Sequence, residues 1–175
     1  MERGISRVFV TRAAGARSRG LLTSAELRIP CVLGRAGISY LKREGDGATP
    51  AGVLHPTQVL YRPDRIGRPD TALPRKVIGL TDGWCDDPGD RNYNRPVTLP
   101  YPGRHENLWR ADRLYDLVVV LDWNVAPTAK GRGSAIFMHL AQPDRSPTEG
   151  CVAMAPEAMA RLLKRLSPHT RIEIG

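Results

Sequence analysis

Gly131-Arg132-Gly133-Ser134-Ala135-Ile136-Phe137-Met138-His139-Leu140-Ala141-Gln142-Pro143-Asp144-Arg145-Ser146-Pro147-Thr148-Glu149-Gly150-Cys151-Val152-Ala153-Met154 is the stretch on which the reading of this chain turns. Ser134 to Leu140 is a continuous apolar run of strand length, as expected for a buried strand. It ends on a histidine. Twelve residues later a cysteine follows a glycine, shortly before a helical pattern. Upstream, Leu117-Val118-Val119-Val120-Leu121, inside Tyr115 to Trp123, is a second such run and predicts a central strand.

Outward from these two runs the pattern stays short and β-like. Strands are expected over Arg7–Thr11, Ala25–Leu33, Gly52–Tyr61, Lys76–Leu80 and Arg171–Ile174, each bounded by turn residues. Glycine (17) and proline (15) together exceed the usual share and predict many turns and few long helices. One helix is expected over Pro156–Leu166. There Ala158, Met159, Leu162, Leu163 and Leu166 share a face, Pro156 suits the first turn and Pro168 stops it. Its apolar stripe reads as core. Gly83–Arg113 reads as one long irregular segment, a lid or binding loop, whose aromatic residues Trp84, Tyr93 and Trp109 argue against disorder. The expectation is one mainly β domain over residues 1–175, β-rich α+β with one or two helices.

At 175 residues the chain can bury a core without a metal or disulfide staple. No apolar run approaches the ~20 residues of a membrane span. Residues 1–30 hold no apolar stretch longer than Val8-Phe9-Val10, so no secretory signal is read there. The net charge of +8 rests on 22 arginines and only four lysines. A basic surface suits anionic partners, but the charges are scattered, no nucleic-acid-binding motif is present and aromatic content is 6%. The expectation is no nucleic-acid partner. Cys31, Cys85 and Cys151 are widely spaced, which excludes a CxxC zinc ribbon; an odd count leaves at least one thiol free or paired between chains.

His139 and Cys151 are the residue types that thiol catalysis needs. The thiolate is the nucleophile, and a nearby imidazolium or helix N-terminus lowers its pKa. Gly150 lets the backbone turn sharply, so that amides at 150 and 151 could face an oxyanion. A core cysteine beside a chance histidine fits the pattern equally well, since free cysteine is among the most buried residue types. Asp46 and Thr49 read as turn-holding residues, and so do Asp86-Asp87-Pro88, which lack the spacing of a calcium loop. His55, His105 and His169 read as surface residues.

Three motifs in order tip the balance. His139 followed by Thr148-Glu149-Gly150-Cys151 resembles the signature of the YkuD-type L,D-transpeptidase catalytic domain, a histidine, a variable loop, then Ser/Thr-x-Gly-Cys. Gly45-Asp46-Gly47-Ala48-Thr49-Pro50-Ala51-Gly52 is similar to that family's Gly-Asp-x-x-Thr-Pro-x-Gly turn. Gly131 to Met138 resembles the strand leading into its histidine. The resemblance covers about residue 30 to the end.

The resemblance implies a β-rich sheet or barrel fold with cysteine and histidine at one end of a sheet, and no metal or organic cofactor. It implies peptidoglycan stem peptides as substrate: the cysteine attacks the carbonyl between diaminopimelate and the following D-residue, a thioester forms, and a second stem's amine resolves it into a 3→3 cross-link. Carried onto this chain, Cys151 is the nucleophile, His139 the general base and acid, and Gly150 a backbone oxyanion donor. Thr148, Arg132, Tyr93 and Arg95 are expected to contact substrate. Carbapenem-type inhibitors are expected to bind. The chemistry implies the periplasm or cell envelope, whereas the N-terminal stretch reads as cytoplasmic. The family commonly carries Arg or Asn two residues after the cysteine; here Ala153 stands there, with Arg132 or Arg145 as candidate substitutes for the charge. An L,D-carboxypeptidase or endopeptidase using water, or a non-catalytic wall-binding module, are the alternatives.

Overall fold

The computed structural model describes residues 4–175; residues 1–3 of the expected domain lie outside them. In chain order the strands are β1 Arg7–Arg12, β2 Arg19–Thr23, β3 Arg28–Val32, β4 Ile38–Ser39, β5 Thr49–Pro50, β6 Gly52–Leu54, β7 Pro56–Tyr61 and β8 Arg75–Val77. There follow β9 Asp82–Cys85, β10 Arg95–Thr98, β11 His105–Asn107, β12 Leu117–Leu121, β13 Phe137–Leu140 and β14 Val152–Met154, then α1 Pro156–Leu163 and β15 Arg171–Ile174. The fold is mainly β with one helix among the described residues.

Ten strands form one mixed sheet in the order β6-β15-β1-β2-β3-β14-β13-β12-β7-β8. The apolar run expected over Gly52–Tyr61 is therefore two strands, and His55 is the corner between them. β6 pairs with β15 at one edge, while β7 pairs with β12 eight places along. Laid flat, eight steps would span ~38 Å, yet Leu54 and Pro56 are two residues apart and so within ~7 Å. The sheet has to curl into a half-barrel to satisfy both.

Strands β12, β13 and β14 are buried at every position. Their side chains alternate between two cores. Leu117, Val119, Met138, Leu140, Val152 and Met154 face the one closed by the helix residues Met159, Leu162 and Leu163. Val118, Val120, Phe137 and Cys151 face the other, capped by Trp84 and Leu108. A sheet covered on both faces needs the continuous apolar runs seen here rather than alternation.

The cap on the second face corrects the reading of Gly83–Arg113 as irregular. It is a three-stranded antiparallel sheet, β10-β9-β11. Trp84 meets Phe137 edge-on at 5.1 Å between ring centres. Three further expectations shift. β2 was not expected, and Ala25 and Glu26 belong to a hairpin turn closed by the Ser24 hydroxyl, which accepts from the Leu27 amide at 3.1 Å. The strand read over Lys76–Leu80 is Arg75–Val77. The helix ends at Leu163, although Leu166 stays buried in one further turn.

Candidate active site

β13 and β14 are parallel neighbours, and a loop over 141–151 joins them. Their register sets Met138 against Val152 and His139 against Ala153. Cys151, one residue before β14, therefore sits level with Phe137, on the His139 face and two positions back. β14 and Ala155 separate Cys151 from α1, which starts at Pro156 as expected. Among the described residues no helix N-terminus adjoins the thiol.

The His-to-Cys loop is pinned by the 45–52 turn. A Cβ on Gly150, whose φ is 141°, would lie 2.8 Å from the Ala48 carbonyl oxygen. A Cβ on Gly34 would lie 2.3 Å from the Gly47 carbonyl oxygen. Only glycine permits these approaches. Within the turn, Asp46 accepts from the amides of Arg43 and Ala48, both at 2.8 Å, and Thr49 Oγ1 accepts from the Gly34 amide at 2.9 Å. Thr148 closes the catalytic loop itself. Its hydroxyl donates to the Cys151 carbonyl at 2.7 Å and accepts from the Gly150 amide at 3.2 Å. The Gly150 amide, expected as an oxyanion donor, is thus engaged by Thr148.

Cys151 and His139 line one cleft of about 460 Å³. The thiol donates to the Ala135 carbonyl at 3.2 Å and accepts from the Phe137 amide at 3.4 Å. Ala135 has a φ of 51°, a left-handed conformation costly for alanine. It is held by its amide donating to Asn94 Oδ1 at 3.0 Å, while Asn94 Nδ2 donates to the carbonyls of Trp123 and Asn124. His139 Nδ1 lies 2.8 Å from the Leu140 carbonyl oxygen. A carbonyl can only accept, so Nδ1 carries the proton and Nε2 is the free base.

Burial pushes the Cys151 thiol up to about 12 and the His139 imidazole down to about 4. The resting pair is neutral thiol and neutral imidazole, not the thiolate–imidazolium pair that the sequence suggested. Glu106 adds to the rise at the thiol, and the Phe137 amide and Lys42 oppose it.

The cleft also holds Lys42, Glu44, Asp86, Arg104, Glu106 and Arg110, whose role there had no motif to announce it. Thr148 lines the cleft, but the other expected substrate contacts do not. Arg132 is exposed beside Leu41 and Arg43, Arg95 is exposed on β10, and Arg145 is exposed in the loop. Tyr93 is buried, donating to Glu44 at 2.5 Å and accepting from the Gly133 amide. Arg110, not Arg132 or Arg145, is the arginine that bears on His139. It lines the cleft with Ala153 and lowers the His139 pKa by its charge. Among the described residues, no group of three or more His, Cys, Asp or Glu could hold a metal, and all three cysteines are free and buried. No helix there is long and apolar enough to cross a membrane.

A curled mixed sheet thus carries a buried cysteine and a buried histidine that line one cleft beside a parallel strand junction. The chain belongs to the YkuD family of L,D-transpeptidase catalytic domains, whose model matches residues 19–174. It is similar to Mycobacterium tuberculosis L,D-transpeptidase 1, whose crystal structure superposes at a TM-score of 0.41 with 12% identity. The match covers 96% of this chain and 61% of that one, so this chain spans under two thirds of its length. No curated protein matches the chain.

Proposed function

We propose that the chain is a peptidoglycan L,D-transpeptidase of the cell envelope using Cys151 as nucleophile. The observation that carries the reading is the Nδ1 contact of His139 with the Leu140 carbonyl, which leaves Nε2 unprotonated in a residue that lines the same cleft as Cys151. As the thiol sulfur attacks the carbonyl between diaminopimelate and D-alanine, its proton passes to Nε2. The tetrahedral intermediate collapses, the C–N bond breaks, and Nε2–H protonates the departing D-alanine amine. The thioester is then attacked by the side-chain amine of a second stem, which gives its proton to Nε2 while the sulfur leaves and recovers it.

Attack from a neutral pair suits a site whose burial disfavours both charges until substrate arrives. Phe137 N–H and Lys42 are placed to stabilise negative charge on sulfur as it develops. Thr148 acts by holding the turn. The test is intact mass after incubation with a tetrapeptide stem or a carbapenem. A covalent adduct is expected on the wild type and none on Cys151→Ala. A wild type that is folded, reduced and unmodified by either would overturn the reading. Product analysis then separates 3→3 cross-links from trimmed stems, the latter marking water as acceptor.

A further inference from the structure

The cleft's charged side chains are nearly all paired. Arg104 Nε meets Asp86 at 3.0 Å, and its Nη2 lies 3.7 Å from Glu44. Arg110 forms a two-bond fork with Asp112 at 2.9 and 2.6 Å. Lys42 is paired with Asp46 at 2.5 Å. Glu106 differs. Its Oε2 accepts one bond, from the Tyr115 hydroxyl at 2.5 Å, and its Oε1 has no partner among the described residues. No cation forms an ion pair with it there. The carboxyl nevertheless lines the cleft and bears electrostatically on Cys151.

A half-buried carboxylate that forms no ion pair is stabilised by a positively charged ligand. Burial pushes the Glu106 carboxyl up, with Asp86 and Glu44 adding to the rise and the Tyr115 hydroxyl and Arg110 opposing it. We propose that Glu106 reads the ammonium group of the acyl acceptor, a diamino-acid side chain, and seats it beside the cysteine. This rests on the proposed acyl-transfer function, since an amine acceptor is what such a site must take up. The Tyr115 hydroxyl holds one oxygen of a carboxyl that lines the cleft, and a primary ammonium supplies up to three donors to such a group. Arg104 and Arg110 are each paired with an acid, which offsets part of their charge in the cleft.

The probes are two tripeptide stems with a diamino acid at position three, one with the side-chain ammonium free and one with it N-acetylated. Lacking a fourth residue, neither can acylate the enzyme. The readout is protection of Cys151 from iodoacetamide, by peptide mass mapping, as the ratio of rates without and with peptide. The free-ammonium stem is expected to protect the wild type at a concentration at least about tenfold lower than the acetylated stem, in line with a charge-assisted hydrogen bond. In Glu106→Gln the two should become equal; where that variant does not fold, Glu106→Ala serves. Equal protection by both stems in the wild type, no protection by either, or discrimination retained in the variant would each overturn the assignment. A tetrapeptide donor run alongside tests the function separately. Failure to acylate with ammonium-selective protection intact would overturn the transpeptidase reading and leave the ammonium site standing.

Discussion

Gly150 is packed against the carbonyl of Ala48 so closely that a Cβ would sit 2.8 Å from that oxygen. Two motifs about a hundred residues apart therefore form one object: the 45–52 turn is the wall against which the nucleophile's loop is set. Gly150→Ala adds a methyl into backbone, which cannot rotate away, at a φ of 141° that disfavours any side chain. The expected loss is about 1–3 kcal/mol from the backbone alone, with a lower Tm and acylation of Cys151 reduced well over tenfold. A variant with wild-type Tm and wild-type acylation would show that the two loops are not in contact.

Thr148 offers a gentler probe of the same loop. Its hydroxyl bridges the Gly150 amide and the Cys151 carbonyl. Thr148→Val keeps the shape and removes both bonds, at an expected cost of about 1–2 kcal/mol. Thr148→Ser should recover most of it. Thermal melts and acylation rates of the pair decide the matter: if valine and serine behave alike, the hydroxyl does not hold the turn.

Glu106 raises the Cys151 pKa through its charge. Glu106→Gln should therefore lower the thiol pKa, moving the pH profile of iodoacetamide alkylation at Cys151 toward neutrality. In the wild type that profile should still be climbing above pH 9, because burial holds the thiol near 12. An unchanged or alkaline-shifted profile in the variant would show that the carboxylate does not act on the sulfur.

What the sequence made legible followed from local pattern. The runs at Leu117–Leu121 and Arg171–Ile174 are strands with the expected bounds, because apolar continuity and alternation are properties of neighbouring residues. The start of the helix, at Pro156, was equally plain. β2 was hidden because Arg19 and Gly20 break its apolar pattern; Gly20 is there for space, since a Cβ would lie 2.9 Å from Cys31 Sγ. β14 was hidden because three residues between a loop and a helix carry no periodicity. The His–Cys pair was legible as a motif. Its charge state was not, because burial of Cys151 and His139 arises from Trp84, Tyr115 and the small sheet folded over them. The cleft's acids and arginines come from scattered loops, so spacing could not gather them, and Arg132 and Arg95 were drawn in on charge alone.

The depressed pKa of His139 makes a prediction about stability as well as rate. Its imidazole titrates near 4 in the folded chain, chiefly through burial, against an ordinary value of 6.5. Between these values the unfolded chain binds the extra proton and the folded one does not, so stability rises with pH across this window. Acidification from about 6.5 toward 4 should cost on the order of 3 kcal/mol from this residue. Below that the folded imidazole is protonated too and its contribution stops changing. Carboxylates titrate nearby, so the comparison is between wild type and His139→Gln. Urea unfolding at pH 4.5 and 6.5 should show a smaller pH difference in the variant, whatever its absolute stability. The acid limb of the wild-type acylation rate should fall near pH 4 rather than near 6.5, since Nε2 stays free to accept a proton down to that pH. A limb near 6.5, with no difference between the urea curves' pH responses, would mean that His139 is solvated and that the neutral-pair account of the attack is wrong.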